Sequence, residues 1–184
     1  MAVLLAVLDT ASALGKDSGL DPWIAFRAAF RTTKDDPMVF EKVYSYNYDG
    51  KEYTDGAVSQ NYHLVQAAEL SQPIGFRTSA MAFISARNNM VHELGHVLTY
   101  NWSSKNLDNV PGGLLNEEGW PESPASANIT WRQHPSRFDE GTVYPGEVFA
   151  DMFLGRVYNK WGAGTTGDRR REYITDAMNS IWDD

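Results

Sequence analysis

The chain has 184 residues, enough for one domain with a sizeable core, and its 42% hydrophobic and 22% charged residues are ordinary for a soluble globular protein. A net charge of −8 argues against a nucleic-acid partner and against an anionic membrane surface, since both select a basic face. Cysteine is absent, which excludes disulfides and leaves His and carboxylates as the only strong ligands for a zinc site.

Met1 to Leu8 is apolar, but it lacks a basic start and Asp9 interrupts it. The run is too short to span a bilayer and is not built like a cleaved signal peptide, so a cytoplasmic location is preferred to a secreted one. Leu4, Val7, Leu8, Ala11 and Leu14 recur at helical spacing and predict an amphipathic helix over 2–14, ending near Gly15. Asp21-Pro22 marks a second helix start, with Asp as N-cap and Pro at the first position. That helix runs through Trp23, Phe26, Ala29 and Phe30 and ends before Thr32. The two helices form an N-terminal cap over 1–35 whose expected role is packing. The remainder, 36–184, is the expected core of a single domain spanning 1–184.

Residues 38–55 change period. Tyr44, Tyr46 and Tyr48 alternate with Val43, Ser45 and Asn47, Asp49-Gly50 supplies a two-residue turn, and Lys51 to Thr54 returns. This register sets Tyr46 opposite Tyr53. Residues 57–70 fit a short helix or a strand, and Gln72-Pro73 breaks either one. Gly75 to Thr78 predicts a short strand, with Ser79 as the N-cap of a helix from Ala80 through Phe83, Ile84, Val91, Leu94, Val97 and Leu98. The segment 101–146 lacks periodicity, and a loop of that length is functional or disordered. A helix is predicted from about Gly146 to Trp161, with Val148, Phe149, Met152, Phe153 and Val157 inward. After a turn over 162–167, Asp168 is expected to cap a last helix. There Arg169, Arg170 and Arg171 form a solvated first turn, and Ile174, Ala177, Met178 and Ile181 follow.

The chemistry-bearing stretch is His92-Glu93-Leu94-Gly95-His96. Residues four apart share a helix face, so His92 and His96 can present both imidazoles to one metal ion. Glu93, beside the first ligand, can reach a metal-associated water without ligating the metal, which is where a general base belongs. A catalytic site of this type wants a third protein ligand. One solution is a Gly and a third His shortly downstream, the metzincin pattern, but Val97 to Trp102 contains neither. Another is Glu147 on the later helix, with Asp151 four residues on and on the same face. That pair adjoins the apolar Val148, Phe149 and Met152, where unpartnered carboxylates are costly. Glu147 can ligate the metal, and Asp151 can accept the free ring N–H of a ligating His and fix its tautomer.

His92-Glu93-Leu94-Gly95-His96 with a downstream Glu147-x-x-x-Asp151 resembles the gluzincin branch of zinc metallopeptidases, the thermolysin-like pattern. The resemblance covers two helices. It departs from the family at Gly146, where Asn is usual, and at Ala150, where Ser is usual. It implies zinc held by His92, His96 and Glu147, with Glu93 polarising the attacking water and Asp151 orienting His92. The subfamily stays open. Zinc is the metal that imidazole and carboxylate suit in tetrahedral geometry. For the oxyanion donor, Tyr144 is preferred because it lies three residues before Glu147; His134 and Arg132 are alternatives. His63 is expected to be structural, and Glu117 and Glu118 are most simply a solvated loop edge.

The expected fold is α+β and zincin-like, mostly helical, with a small antiparallel sheet beside the His92 helix. The expected function is a zinc-dependent metallopeptidase that hydrolyses peptide bonds in a peptide or protein substrate, as an endopeptidase. The alternatives are a catalytically inactive zincin-like domain that binds zinc, or a protein-interaction domain using 101–146 as its surface. Oligomeric state and cleavage specificity leave no mark in the sequence.

Overall fold

The computed structural model describes residues 1–48, 50–54, 57–60, 63–68, 80–115, 120 and 144–183, with only the backbone of Tyr48 and of 80–83. Among them the architecture is mixed α/β and mostly helical: five α-helices and a small three-stranded sheet share one apolar core, and a separate two-stranded hairpin lies outside it.

Helix α1 spans Ala2–Ser18 and α2 spans Pro22–Ala29. Asp21 caps α2 as expected, its Oδ1 accepting from the amides of Trp23 (3.0 Å) and Ile24 (3.2 Å). The buried face of α1 differs from the one its leucines predict. Ala2, Ala6, Thr10, Ala11 and Leu14 are buried, while Leu4 and Leu8 are exposed. Small side chains let α1 lie close against its neighbours, and close packing outweighs the gain from burying two leucines. Ala6, Ala11, Leu14, Phe26 and Phe30 belong to the same core as the helices that follow, so the 1–35 segment packs as part of the body. No helix among the described residues is long and apolar enough to cross a membrane.

The strands are β1 (Val39–Lys42), β2 (Tyr46–Tyr48), β3 (Lys51–Tyr53), β4 (Ala57–Ser59) and β5 (Leu64–Ala67). β2 and β3 form the expected hairpin, Gly50 taking the positive φ of 73° that its tight turn requires. Tyr46 stacks on Tyr53 with ring centroids 5.6 Å apart. The ambiguous 57–70 stretch resolves into β4 and β5, and β5 alternates half-buried and buried positions as a strand on a core does. The three-stranded sheet has the order β1-β5-β4. It is mixed rather than antiparallel: β5 runs antiparallel to β4 but parallel to β1. The hairpin and β4 together form the crossover that returns the chain beside β1 in the same direction, a long-range pairing that local periodicity does not encode. The predicted strand at 75–78 and the Ser79 cap lie outside the described residues.

Helix α3 spans Ala80–Asn101. Beyond it the chain makes two 3-10 turns, Ser103–Lys105 and Gly112–Leu114. Trp102 anchors the exit, its Nε1 donating to the Ala29 carbonyl at 2.6 Å. Helix α4 spans Pro145–Tyr158, with Pro at its first position and Tyr144 as N-cap. It is the central element, with every residue from Val148 to Gly155 buried. It stops at Asn159 in a left-handed conformation, short of Trp161. Helix α5 spans Thr165–Trp182 and begins a turn earlier than expected. Gly164 is its N-cap, and Asp168 sits inside the first turn, 3.2 Å from Arg171.

The arginine run is not uniformly solvated. Arg170 is fully buried, gives its Nε (3.1 Å) and Nη2 (2.9 Å) hydrogens to the Leu114 carbonyl, and lies 3.9 Å from the Trp120 ring centroid. A buried guanidinium has to be matched this way, and its partners come from a segment that helical periodicity cannot reveal.

Candidate metal centre

α3 and α4 cross in contact, and the crossing point is Gly95 against Ala150. A Cβ on Gly95 would lie 2.7 Å from the Ala150 Cα, closer than side-chain atoms ever pack. A glycine inside a long helix costs about 1 kcal/mol relative to alanine, so it signals a close approach of backbones. The crossing faces one turn of α3, carrying His92 and His96, with one turn of α4, carrying Glu147 and Asp151.

Three ligand atoms converge there. His92 Nε2 lies 3.1 Å from His96 Nε2 and 3.1 Å from Glu147 Oε2, and His96 Nε2 lies 3.4 Å from Glu147 Oε2. Among the described residues His92, His96 and Glu147 form the one such cluster able to hold a metal ion. On the far side of the first imidazole, His92 Nδ1 is 2.7 Å from Asp151 Oδ1. A carboxylate there accepts, so Nδ1 carries the hydrogen and the neutral tautomer aims its Nε2 lone pair at Glu147 and His96.

Where that lone pair meets Glu147 Oε2 at 3.1 Å, two acceptors face each other, and a positive charge between them relieves the contact. Burial of His92 pulls its pKa down, but the carboxylates of Asp151 and Glu147 more than offset that, and it stands well above the usual histidine value. Glu147 resists the upward push of its own burial because both imidazoles hydrogen-bond to it, and its pKa stands well below the usual carboxylate range. Either a proton or a metal ion can supply that charge, and deprotonated His and Glu are metal ligands.

Glu93 follows His92 on α3 and lies close enough to His96, His92 and Glu147 to feel their charges. It is 3% exposed, and its Oε2 accepts the Ser59 amide of β4 at 2.7 Å. Burial raises its pKa, against the opposing pull of His96 and His92. A raised carboxylate pKa brings a base nearer the working pH of a hydrolase.

Of the other residues singled out by sequence, Tyr144 caps α4, and its carbonyl receives the Glu147 (3.0 Å) and Val148 (3.3 Å) amides. Its side chain is half exposed. His63 is structural, its Nε2 facing the Phe30 carbonyl (2.9 Å) and its Nδ1 facing Asp36 (2.9 Å). Glu117, Glu118, Arg132 and His134 lie outside the described residues. Sequence reasoning missed Gly95 and the Ser59 amide. The mid-helix glycine was the available signal for the first; a main-chain donor leaves none for the second.

Compared with models of known protein families, with curated proteins and with solved structures, the chain finds no match.

Proposed function

We propose that the chain is a zinc-dependent metallopeptidase of gluzincin type, with a zincin-like arrangement of α3, α4 and the small sheet. The observation that carries this reading is the triangle of His92 Nε2, His96 Nε2 and Glu147 Oε2, with sides of 3.1, 3.1 and 3.4 Å. Ligand atoms about 2.0–2.1 Å from one tetrahedral zinc stand about 3.3 Å apart, so the donor set fits in number, type and spacing. A tetrahedral ion held by three ligands keeps a fourth position open, as catalytic zinc sites do.

Bound there, zinc would supply Lewis-acid polarisation of the substrate carbonyl and would bring the pKa of a water toward neutrality. The chain's own groups do the rest. Asp151 holds His92 in the tautomer that offers Nε2. Glu93 takes a proton from the attacking water as the new C–O bond forms. It returns that proton to the amide nitrogen as the C–N bond breaks. Tyr144, three residues ahead of Glu147, is the donor we assign to the developing oxyanion.

The test is cleavage of a diverse synthetic peptide library, read by mass spectrometry, for the wild type and Glu93→Gln. Glu93→Gln should keep its metal and lose at least about a hundredfold in rate, the scale of a general base. Identical background cleavage by both would refute the peptidase reading and leave a zinc-binding or interaction domain.

A further inference from the structure

We propose that the main-chain amide of Ser59 positions Glu93 and divides the work between its two carboxylate oxygens. The inference rests on the peptidase reading above and names the group that holds its base.

Ser59 N–H donates to Glu93 Oε2 at 2.7 Å, and both residues are buried. The strand register explains why this amide is free to do so. β4 pairs with β5 through Ala57↔Ala67, Val58↔Gln66 and Ser59↔Val65, and one step further the Gln60 amide donates to the Leu64 carbonyl at 2.9 Å. Hydrogen-bonded pairs alternate along an antiparallel ladder. Val58 and Gln60 therefore turn their main-chain groups toward β5, and Ser59 turns its own to the opposite side. Among the described residues that side is the edge of the sheet, because β4 is the last strand in the order β1-β5-β4. A buried N–H on an edge must find an acceptor outside the sheet, and the carboxylate from α3 is that acceptor.

The consequence is chemical. With Oε2 occupied by the amide, Oε1 is the oxygen left to take a proton from water and return it to the leaving nitrogen. The donor is main chain, so its position is set by the β4–β5 ladder and not by a rotamer. The Ser59 side chain is dispensable for this task, and the N–H is not.

The experiment removes the N–H without touching the ladder. Ser59→Pro deletes the donor, which does not face β5; Ser59→Ala keeps it. A third variant replaces Ser59 by its α-hydroxy acid, exchanging N–H for an ester oxygen while keeping the side chain, and serves if the proline variant fails to fold. The probe is the library peptide that the wild type cleaves fastest. Zinc content should stay at the wild-type level in all three. For Ser59→Pro and the ester, kcat should fall about tenfold to a hundredfold with KM unchanged, as expected for losing one hydrogen bond to a charged group. Ser59→Ala should match the wild type. Wild-type kcat in a zinc-loaded proline or ester variant overturns the inference, as does a loss in Ser59→Ala equal to that in Ser59→Pro. Failure of the peptidase reading looks different: the wild type itself would then cleave no faster than Glu93→Gln.

Discussion

Gly95→Ala puts one methyl group into the narrowest point of the molecule. Its Cβ would stand 2.7 Å from the Ala150 Cα, 3.1 Å from the Ala150 Cβ and 3.3 Å from the Ala150 carbonyl oxygen. Carbon atoms rest at about 3.5–4.0 Å, so α3 and α4 must part by about 1 Å at this point. The obstacle includes backbone, and no rotamer change relieves it. Overpacking of this kind costs about 1–3 kcal/mol, and replacing a helical glycine returns about 1 kcal/mol, so the fold survives with a modestly lower Tm. The candidate metal centre suffers more. Glu147 rides on α4 one turn before Ala150, and the shift takes its Oε2 from 3.1 Å to about 4 Å from His92 Nε2, beyond the roughly 3.3 Å spacing of tetrahedral ligand atoms. We expect zinc affinity, measured by competition with a chromogenic chelator, to fall at least about tenfold, on the scale of disturbed metal-site support. Gly146→Ala is the control, because a Cβ there meets nothing within 4 Å. It should leave zinc affinity unchanged and, as a helical glycine replaced without a clash, hold or slightly raise the Tm. A Gly95→Ala protein with wild-type zinc affinity would refute the crossing as the device that aims Glu147.

Asp151→Asn keeps the shape but no longer offers a carboxylate to His92 Nδ1, now 2.7 Å away; zinc affinity should fall about 10- to 100-fold while the helices stay folded by circular dichroism. Arg170→Met leaves the Leu114 carbonyl without its two buried donors and removes the cation over Trp120. It should lower unfolding stability in urea by about 1–3 kcal/mol, with zinc affinity unchanged because Arg170 lies on α5 and its hydrogen bonds to Leu114 hold a different part of the chain from the α3–α4 crossing.

The candidate site was more legible than the fold around it. His92 and His96 announce themselves because helical spacing turns a sequence interval into a spatial one. Glu147 and Asp151 stand out as charges next to Val148, Phe149 and Met152, where a carboxylate without a partner is expensive. The helix starts at Asp21-Pro22 and the Tyr46–Tyr53 pairing follow from equally local rules. What escaped depends on partners far away in the chain. Which face of α1 is buried was decided by how closely alanines let it approach its neighbours, not by where its leucines lie. The parallel pairing of β1 with β5 is a crossover property, invisible to alternation within either strand. Arg170 sits in a run of like charges that resembles a solvated turn until the Leu114 carbonyl and Trp120 are brought to it. The close approach of Gly95 to Ala150 is likewise a property of two helices far apart in the chain.

The central claim is that Glu147 completes a zinc site with His92 and His96, and metal content measures it most directly. Protein purified without added zinc should carry one equivalent by elemental analysis and native mass spectrometry. His92→Ala and Glu147→Ala should both lose it while keeping the helical circular dichroism of the wild type. Stoichiometric zinc persisting in Glu147→Ala with unchanged affinity, or no zinc bound by the wild type even after saturation, would contradict the claim.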